Sequence, residues 1–220
     1  MGLDKKIDAL MALRPDLAII QECSLDSIER FGPGAISHEW VGDKRTKGLA
    51  VIGFGKYRVK AISDPKYRWV LPLKVSGPAT FNLLAVWACK STNGLEDYIG
   101  QVYLAIKKYE PLMRRGSWIV AGDLNSNTIW DKKHRLGNHS EVVRVLAERK
   151  LVSVYHERSG EPQGKESQKT FYQYRRLRRT YHIDYCFAPA NWLSNSLKVE
   201  VGKPKYWLNF SDHCPLIVDF

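Results

Sequence analysis

The sequence predicts a mixed α/β domain in which β-sheets pack face to face and helices lie outside them. Segments with strand character outnumber helical ones, and the helices interrupt them at irregular intervals, which argues against a simple doubly wound sheet. Several of these strands are continuous apolar runs, as expected for strands buried on both faces. The chain has 220 residues, 44% of them apolar, which suits one domain with a sizeable core spanning residues 1–220.

The first half of the chain begins with a predicted amphipathic helix. Leu3, Ile7, Leu10 and Met11 follow a 3.6-residue period, and Pro15 ends the helix. The next segment, Leu-Ala-Ile-Ile at positions 17–20, is a short apolar run that predicts a buried strand. Further strands are predicted at 49–54, 57–62, 68–75 and 81–87, followed by a helix at 95–113.

The second half continues with an apolar strand at 118–121. Asn138 or Ser140 then caps a predicted helix that runs to about residue 150. The polar segment 159–169 contains two glycines and a proline, which predicts an exposed loop. Weaker strands are predicted at 152–155, 170–174, 183–187 and 197–201, and an apolar strand at 216–220 is predicted to close the domain.

The charge balance indicates the kind of partner. Lys and Arg number 34 against 23 Asp and Glu, which gives a net charge of +11. A positive field of this size favours nucleic acid or another phosphate-rich partner. The alternative is a basic enzyme that binds no polyanion, because net charge governs association rather than fold.

Targeting signals and cysteines indicate the compartment. No apolar run approaches the roughly 18 residues needed to cross a bilayer, and the start lacks the apolar stretch of a signal peptide. Cys23, Cys89, Cys186 and Cys214 include no C-x-x-C pair, which predicts buried, reduced thiols. We therefore predict a cytoplasmic protein with no membrane partner.

Polar residues collect where the predicted strands begin or end. Ile19-Ile20 leads to Gln21-Glu22, and Val120-Ala121 leads to Gly-Asp-Leu-Asn at 122–125. Asp184 opens one strand, and Ser-Asp-His at 211–213 precedes the last. Clustered carboxylates repel one another unless a cation neutralises them, so we predict one shared metal or phosphate site. For each residue alone, the alternative is a structural role as a turn, a cap or a core histidine.

Four motifs carry a resemblance to a known family. They are Pro-Asp-Leu-Ala-Ile-Ile-Gln-Glu at 15–22, Gly-Asp-Leu-Asn-Ser at 122–126, His-Ile-Asp-Tyr at 182–185 and Ser-Asp-His-Cys-Pro-Leu at 211–216. Together and in this order they resemble the endonuclease/exonuclease/phosphatase superfamily, the DNase I-like and exonuclease III-like group. The resemblance implies a four-layer α/β/β/α sandwich, with two central mixed sheets flanked by helices.

The resemblance also implies a role for each matching residue. Glu22 is similar to the family's metal-binding glutamate, and Asp123 to the aspartate that activates or orients the attacking water. Asn125 resembles the asparagine that holds phosphate and nucleophile. Asp184 resembles the carboxylate that pairs with the catalytic histidine, here His213. Asp212 resembles the neighbouring acid on the metal side, and the expected cofactor is Mg²⁺ or Mn²⁺.

The chain departs from the family pattern in two places. The family begins with a strand carrying Trp-Asn, whose asparagine lies in the metal site, and this chain starts at the following helix. Without that strand we expect exposed pairing groups, weak stability or self-association through the sheet. The second departure is Trp87, where the family strand commonly ends in His or Tyr. Trp87 is expected either to contact the substrate or to pack in the core.

Basic and aromatic residues are the candidates for substrate binding. Four arginines and three tyrosines fall within ten residues upstream of Asp184, and arginine suits phosphate oxygens while aromatic rings stack on bases. A solvated hairpin is the alternative interpretation. Trp207 lies in the loop before Ser211 and is a further candidate. The predicted contacts are Arg175, Arg176, Arg178, Arg179, Tyr174, Trp87 and Trp207.

These observations favour a metal-dependent nuclease that acts on DNA or RNA by in-line water attack. Two alternatives stay open. One is a phosphatase or phosphodiesterase on small or lipid phosphates. The other is a nucleic-acid-binding module whose catalysis is impaired by the missing strand. Nothing in the sequence separates DNA from RNA, or endonuclease from exonuclease activity.

Overall fold

The computed structural model describes residues 3–31 and 35–220. The helices within these ranges are α1 (Ile7–Met11), α2 (Leu25–Glu29), α3 (Ile99–Met113), α4 (His139–Ala147), α5 (Val154–Ser159) and α6 (Pro204–Trp207). The strands are β1 (Leu17–Cys23), β2 (Ala35–Lys44), β3 (Lys47–Phe54), β4 (Arg58–Ala61), β5 (Val70–Ser76), β6 (Phe81–Trp87), β7 (Trp118–Asp123), β8 (Leu151–Ser153), β9 (Phe171–Tyr172), β10 (Thr180–Tyr181), β11 (Asp184–Pro189), β12 (Lys198–Val201) and β13 (Leu216–Asp219). None of the described helices is both long and apolar enough to cross a bilayer.

The larger sheet has six strands in the order β4-β5-β6-β7-β11-β8. It is mixed, because β6 and β7 run parallel while the other neighbours are antiparallel. One face buries Leu84, Val86 and Val120 against α3 and α4, and the opposite face buries Leu83, Ala85 and Ala121 in a second core. This alternation explains why β6 and β7 are apolar throughout.

The smaller sheet has three antiparallel strands in the order β1-β3-β2. Its central strand β3 is buried on both faces: Leu49 and Val51 point into the core between the sheets, while Ala50 and Ile52 face the layer of α1 and α2. The pair β12–β13 packs on the same core between the sheets. The predicted order of layers, helix, sheet, sheet and helix, is therefore confirmed.

Most predicted elements are present, with bounds shifted by a few residues. β6 matches its predicted range, and the four cysteines are free, as predicted. The predicted strand at 152–155 is wrong, because it is β8 followed by the helix α5. The predicted strand at 170–174 is cut short at Tyr172 by a 3₁₀ turn. β2 was not predicted, because none of its residues is fully buried and its composition is polar.

One strand of the smaller sheet and one strand of the β12–β13 pair have a single neighbour each among the described residues. β1 pairs with β3 alone, and β13 pairs with β12 alone. Both contribute side chains to the core between the sheets, Leu17 and Ile19 from β1 and Leu216 and Val218 from β13. Each strand therefore presents an unpaired edge beside an apolar core, which favours pairing with a further strand.

We predict that this 220-residue chain is poorly stable or self-associates through these edges. Unsatisfied backbone groups cost about 1–3 kcal/mol each when buried, against a total stability of about 5–15 kcal/mol. An N-terminal extension that carries a Trp-Asn strand should raise the melting temperature in calorimetry and favour the monomer in sedimentation. A scrambled extension of equal length is the control. Equal stability with both extensions would show that the strand is dispensable.

Candidate active site

Two carboxylates meet where β7 ends and β11 begins. The antiparallel register of these strands places Asp184 directly opposite Asp123. Gly122 precedes Asp123 with φ +133°, and a Cβ at this position would come within 2.0 Å of the Val86 carbonyl oxygen. Only glycine therefore permits this approach of β6 and β7, which explains the glycine of the Gly-Asp-Leu-Asn motif.

Asp123 is held by the residue that follows it in the motif. Asp123 is 3% exposed. Its Oδ1 accepts a hydrogen bond from the Asn125 backbone N at 2.7 Å, and its Oδ2 accepts from Asn125 Nδ2 at 3.0 Å. Asn125 adopts φ +45°, an unusual conformation for a residue other than glycine and one that clusters at functional sites. Burial, and then the charge of Asp184, raise the pKa of Asp123 above its ordinary value.

His213 completes this cluster from the loop before β13. Its Nδ1 lies 2.9 Å from Asp184 Oδ2, and its backbone N donates to Ser211 Oγ at 3.1 Å. Burial alone would lower the histidine pKa, but the charge and hydrogen bond of Asp184 outweigh it and raise the pKa to about 9. His213 is therefore cationic at neutral pH, with Nδ1 occupied by Asp184 and Nε2 left for a ligand.

The predicted metal ligands Glu22 and Asp212 lie beside this cluster. The ligand atoms of Asp123, Asp184 and His213 all lie within 4.8 Å of one another, and Glu22 and Asp212 do not join that group. Glu22 adopts φ +57° at the bulge of β1 and contacts Lys47 Nζ at 3.0 Å. Its charge raises the pKa of Asp123, and the charge of Asp212 raises that of His213. Converging carboxylates of this kind suit a hard divalent cation.

Two lysines lie beside the acidic residues of the site. Lys47 contacts Glu22, and Lys6 Nζ lies 3.3 Å from Ser211 Oγ. Burial lowers the pKa of Lys6, while the charges of Asp212 and Glu22 oppose that shift. Both lysines therefore place positive charge beside the acidic residues. No sequence pattern links Lys6 to Ser211, because 205 positions separate them.

Thr170 connects the backbone at Asp184 to the segment that carries His213. The sequence did not predict this role. Thr170 is fully buried, and its hydroxyl accepts hydrogen bonds from the backbone N–H groups of Ile183 and Asp184 at 3.0 and 3.1 Å. Its carbonyl accepts from Cys214 N at 2.7 Å. One residue thus positions the backbone of Asp184 and the backbone next to His213. The predicted strand at 170–174 gave no sign of this function.

A buried polar network lies behind Asn125 and Asp184. Asn127 Nδ2 donates to Glu166 Oε1 at 3.1 Å and to the His182 carbonyl at 3.0 Å. Glu166 Oε1 also accepts from Gly164 N at 2.8 Å and lies 3.1 Å from His156 Nε2. Glu166 is 3% exposed, although the sequence predicted an exposed loop at 159–169. That prediction is wrong at this position, because the loop folds back onto the residues after Asn125.

The predicted substrate residues divide into exposed and buried groups. Tyr174 is 72% exposed in the turn after β9, and Arg176, Arg178 and Arg179 are exposed beside it, whereas Arg175 is half-buried. Trp87 is 3% exposed and stacks on Trp69 with ring centroids 4.1 Å apart. Trp207 is 7% exposed in a small apolar cluster.

The burial of the two tryptophans corrects their predicted role. Neither Trp87 nor Trp207 presents a ring face for a substrate to cover, because neighbouring side chains already cover both. Of the two expectations for Trp87, core packing is therefore the one that agrees with the structure. Lys47 Nζ lies 5.1 Å from the centre of the Trp87 ring, so this ring supports the lysine that contacts Glu22.

Comparison with known proteins shows which known fold the chain adopts. No known family pattern matches the sequence, and neither does any curated protein. Among solved structures, a 3′-5′ exonuclease (NExo) from Neisseria meningitidis superposes with a TM-score of 0.69 at 15% identity, covering 100% of this chain and 96% of that one. A structure described as the 3′ phosphatase NExo from Neisseria, bound to a product DNA hairpin, gives 0.68 at 15% identity, covering 100% and 95%.

A third match carries the superfamily's name. An endonuclease/exonuclease/phosphatase from Beutenbergia cavernae superposes with a TM-score of 0.61 at 14% identity, covering 98% of this chain and 64% of that one. The chain therefore has the DNase I-like fold of the endonuclease/exonuclease/phosphatase superfamily. The resemblance predicted from the four motifs is confirmed at the level of the fold.

The pairing of His213 with Asp184 predicts the alkaline limb of the pH profile. Activity should fall as pH rises through about 9, where His213 loses its proton. In Asp184→Asn the supporting charge is gone and burial lowers the histidine pKa, so the alkaline limb should move down by about one to three pH units. The measurement is kcat/KM for hydrolysis of a phosphate ester from pH 5 to 10, with the exposed Asp219→Asn as control. An alkaline limb that stays in place would contradict the pairing.

The Glu166 network predicts a stability change in acid. Burial raises the pKa of Glu166, but hydrogen bonds from His156, Gly164 and Asn127 outweigh it and lower the pKa to about 2. Because folding lowers this pKa, the ionised Glu166 carboxylate stabilises the fold at any pH above its ordinary pKa of 4.5. This stabilisation is lost as the pH falls towards 2, where the carboxylate of the folded protein takes up a proton.

Glu166→Gln should therefore unfold at lower temperature than the wild type at pH 7 and show a flatter dependence of stability between pH 4.5 and 2. Calorimetry measures both effects, with the exposed Glu157→Gln on α5 as the matched control. If Glu166→Gln and Glu157→Gln behave alike, the network does not stabilise the fold.

Proposed function

We propose that this protein is a metal-dependent phosphodiester hydrolase, a nuclease that acts on DNA or RNA. The observation that carries the proposal is the convergence of Asp123, Asp184 and His213 within 4.8 Å, with His213 Nδ1 2.9 Å from Asp184 Oδ2. A carboxylate beside a fixed cation can accept a proton from water while the cation holds a phosphate oxygen.

Asp123 and Asn125 act on the attacking water in this proposal. Burial raises the pKa of Asp123, so its ionised form is a stronger base than an ordinary carboxylate. Asn125 Nδ2 donates to Asp123 Oδ2 and to the Ala88 carbonyl, the latter at 2.8 Å. Both amide hydrogens are thus used within the protein, which leaves Asn125 Oδ1 to accept a hydrogen bond from the water.

His213 acts on the phosphate. Asp184 holds Nδ1, so the protonated Nε2 can donate to a phosphate oxygen and stabilise the charge that develops there. The bond from the water oxygen to phosphorus forms as the bond to the leaving oxygen breaks on the opposite side, and the leaving alkoxide takes a proton from solvent water. Asp123 takes the proton of the water. Asp184 positions His213 and maintains its charge without contacting the phosphate.

Glu22 and Asp212 are the residues that we propose to hold the metal. The Glu22 carboxylate is 54% exposed, and an ion pair at such a surface contributes at most about 1 kcal/mol, so a divalent ion can displace Lys47 from it. A bound Mg²⁺ or Mn²⁺ supplies charge neutralisation at the phosphate oxygens. The donor set of carboxylate oxygens fits such an ion.

Charge and neighbouring structures support a nucleic-acid substrate. The chain carries a net charge of +11, and exposed arginines line the turn between β9 and β10, directly before Asp184. The Neisseria protein has been solved with a DNA hairpin. Because that protein is described both as a 3′-5′ exonuclease and as a 3′ phosphatase, a phosphomonoesterase is the second candidate.

The test is hydrolysis of a single-stranded oligonucleotide, a 3′-phosphorylated oligonucleotide and a sugar phosphate, with millimolar Mg²⁺ or with EDTA. We expect Mg²⁺-dependent cleavage of the oligonucleotide. His213→Ala should lower the rate by about 10²-fold or more, and Glu22→Gln should abolish it. Exposed Glu200→Gln on β12 is the matched control for Glu22→Gln.

Each alternative has its own outcome. Turnover of the sugar phosphate alone would favour a hydrolase of small phosphates, and phosphate release from the 3′ end alone would favour the phosphomonoesterase. Salt-dependent binding of the oligonucleotide without turnover would indicate a binding module. Near-normal turnover by Glu22→Gln would overturn the assignment of the metal ligand.

A further inference from the structure

Trp130 is an exposed aromatic residue five positions after Asn125, and neither the motifs nor the hydrolytic chemistry accounts for it. It ends the 3₁₀ turn Thr128–Trp130, which begins three residues after Asn125. Its exposed fraction is 43%, large for a tryptophan whose ring would gain from burial. A ligand that covers this ring would therefore gain from its burial.

Two hydrogen bonds and one close packing contact hold the turn that carries Trp130. The exposure of the Trp130 ring therefore does not result from a loose loop. Asn127 Oδ1 accepts from Ile129 N at 3.2 Å, and Asn127 Nδ2 donates to the buried Glu166 carboxylate at 3.1 Å. Gly164 packs so closely that a Cβ there would lie 2.6 Å from Thr128 Oγ1. A rigidly presented aromatic ring is a feature of binding sites rather than of mobile surfaces.

A series of ring contacts connects Trp130 to the catalytic histidine. The Trp130 ring centroid lies 4.8 Å from that of Tyr181, and Tyr181 lies 6.5 Å from Phe171. Phe171 in turn lies 4.8 Å from His213. The β9–β10 pairing sets this order, because Tyr181 and Phe171 are register partners. Trp130 is thus the outermost ring of a series that ends at the group proposed to bind phosphate.

We propose that Trp130 is a stacking surface for an unpaired nucleobase close to the scissile phosphate, and that it makes the enzyme prefer single-stranded or frayed ends over intact duplex. This inference rests on the proposed nuclease function. A base within a duplex already has both faces covered by its neighbours, so only an unpaired base can offer a face to Trp130. Stacking on an aromatic side chain contributes about 5- to 150-fold in affinity per base.

The charge around Trp130 agrees with this ligand. The exposed Lys132 and Lys133 follow it within three residues, and the arginine-rich turn lies between β9, which carries Phe171, and β10, which carries Tyr181. An apolar ring face within positive charge matches a base attached to a phosphate backbone. It does not match an apolar peptide, which would gain nothing from the lysines. A sugar phosphate has no base and would leave Trp130 uncovered.

The experiment compares two matched oligonucleotides, one single-stranded and one the same sequence within a blunt duplex. For each, Kd is measured by fluorescence anisotropy in EDTA and kcat/KM is measured with Mg²⁺. Trp130→Ala should lose about 5- to 150-fold in affinity and in kcat/KM on the single strand and much less on the duplex. Trp130→Phe keeps an aromatic face and should retain most of the preference. The control is Leu136→Ala, a residue 51% exposed that has no place in the ring series.

Equal losses on the two substrates in Trp130→Ala, or no loss on either, would overturn the inference while the nuclease function stands. A loss in Trp130→Phe as large as in Trp130→Ala would also overturn it, because stacking would then not be the cause. A wild-type chain that neither binds nor cleaves either oligonucleotide would overturn the proposed function, and the inference with it. Near-ultraviolet circular dichroism checks that each variant is folded.

Discussion

The antiparallel pairing of β7 with β11 is the constraint on which the site depends. Its register sets Asp123 opposite Asp184 at a buried sheet end, where two negative charges repel each other. His213 relieves part of that repulsion by pairing with Asp184. The carboxylate that remains, Asp123, keeps a raised pKa beside a cationic histidine. The combination of a basic carboxylate and a fixed positive charge follows directly from one strand register.

The residues around this pair keep it rigid. Thr170 bonds to the backbone on both sides of the Asp184–His213 contact, and the Glu166 network anchors the turn that carries Trp130. Substrate binding and hydrolysis thus share one set of supports. The smaller sheet is different, because β1, which carries Glu22, has one free edge among the described residues. The proposed metal side of the site is therefore the side with the weaker structural support.

Much of the fold could be predicted from local patterns, because apolar runs and helical periodicity report burial directly. The apolar composition of β6 and β7 predicts both strands because both of their faces are buried. The composition of β2 is polar and predicts no strand, because none of its residues is fully buried. Four motifs located the acidic residues and His213. Lys6, Thr170 and Glu166 could not be found in this way, because their roles depend on partners distant in the chain. Residue type predicts Trp207 at the substrate surface and leaves Trp87 open between substrate contact and core packing, and packing buries both.

The most direct test of the central claim is the titration of His213, followed by nuclear magnetic resonance in protein labelled with ¹⁵N-histidine and assigned by comparison with His213→Ala. The account predicts a midpoint near 9, well above the ordinary 6.5, because Asp184 holds the imidazolium. A midpoint at or below 6.5 would mean that burial outweighs the carboxylate. His213 would then be neutral at pH 7, and the cluster could not bind phosphate in the way proposed.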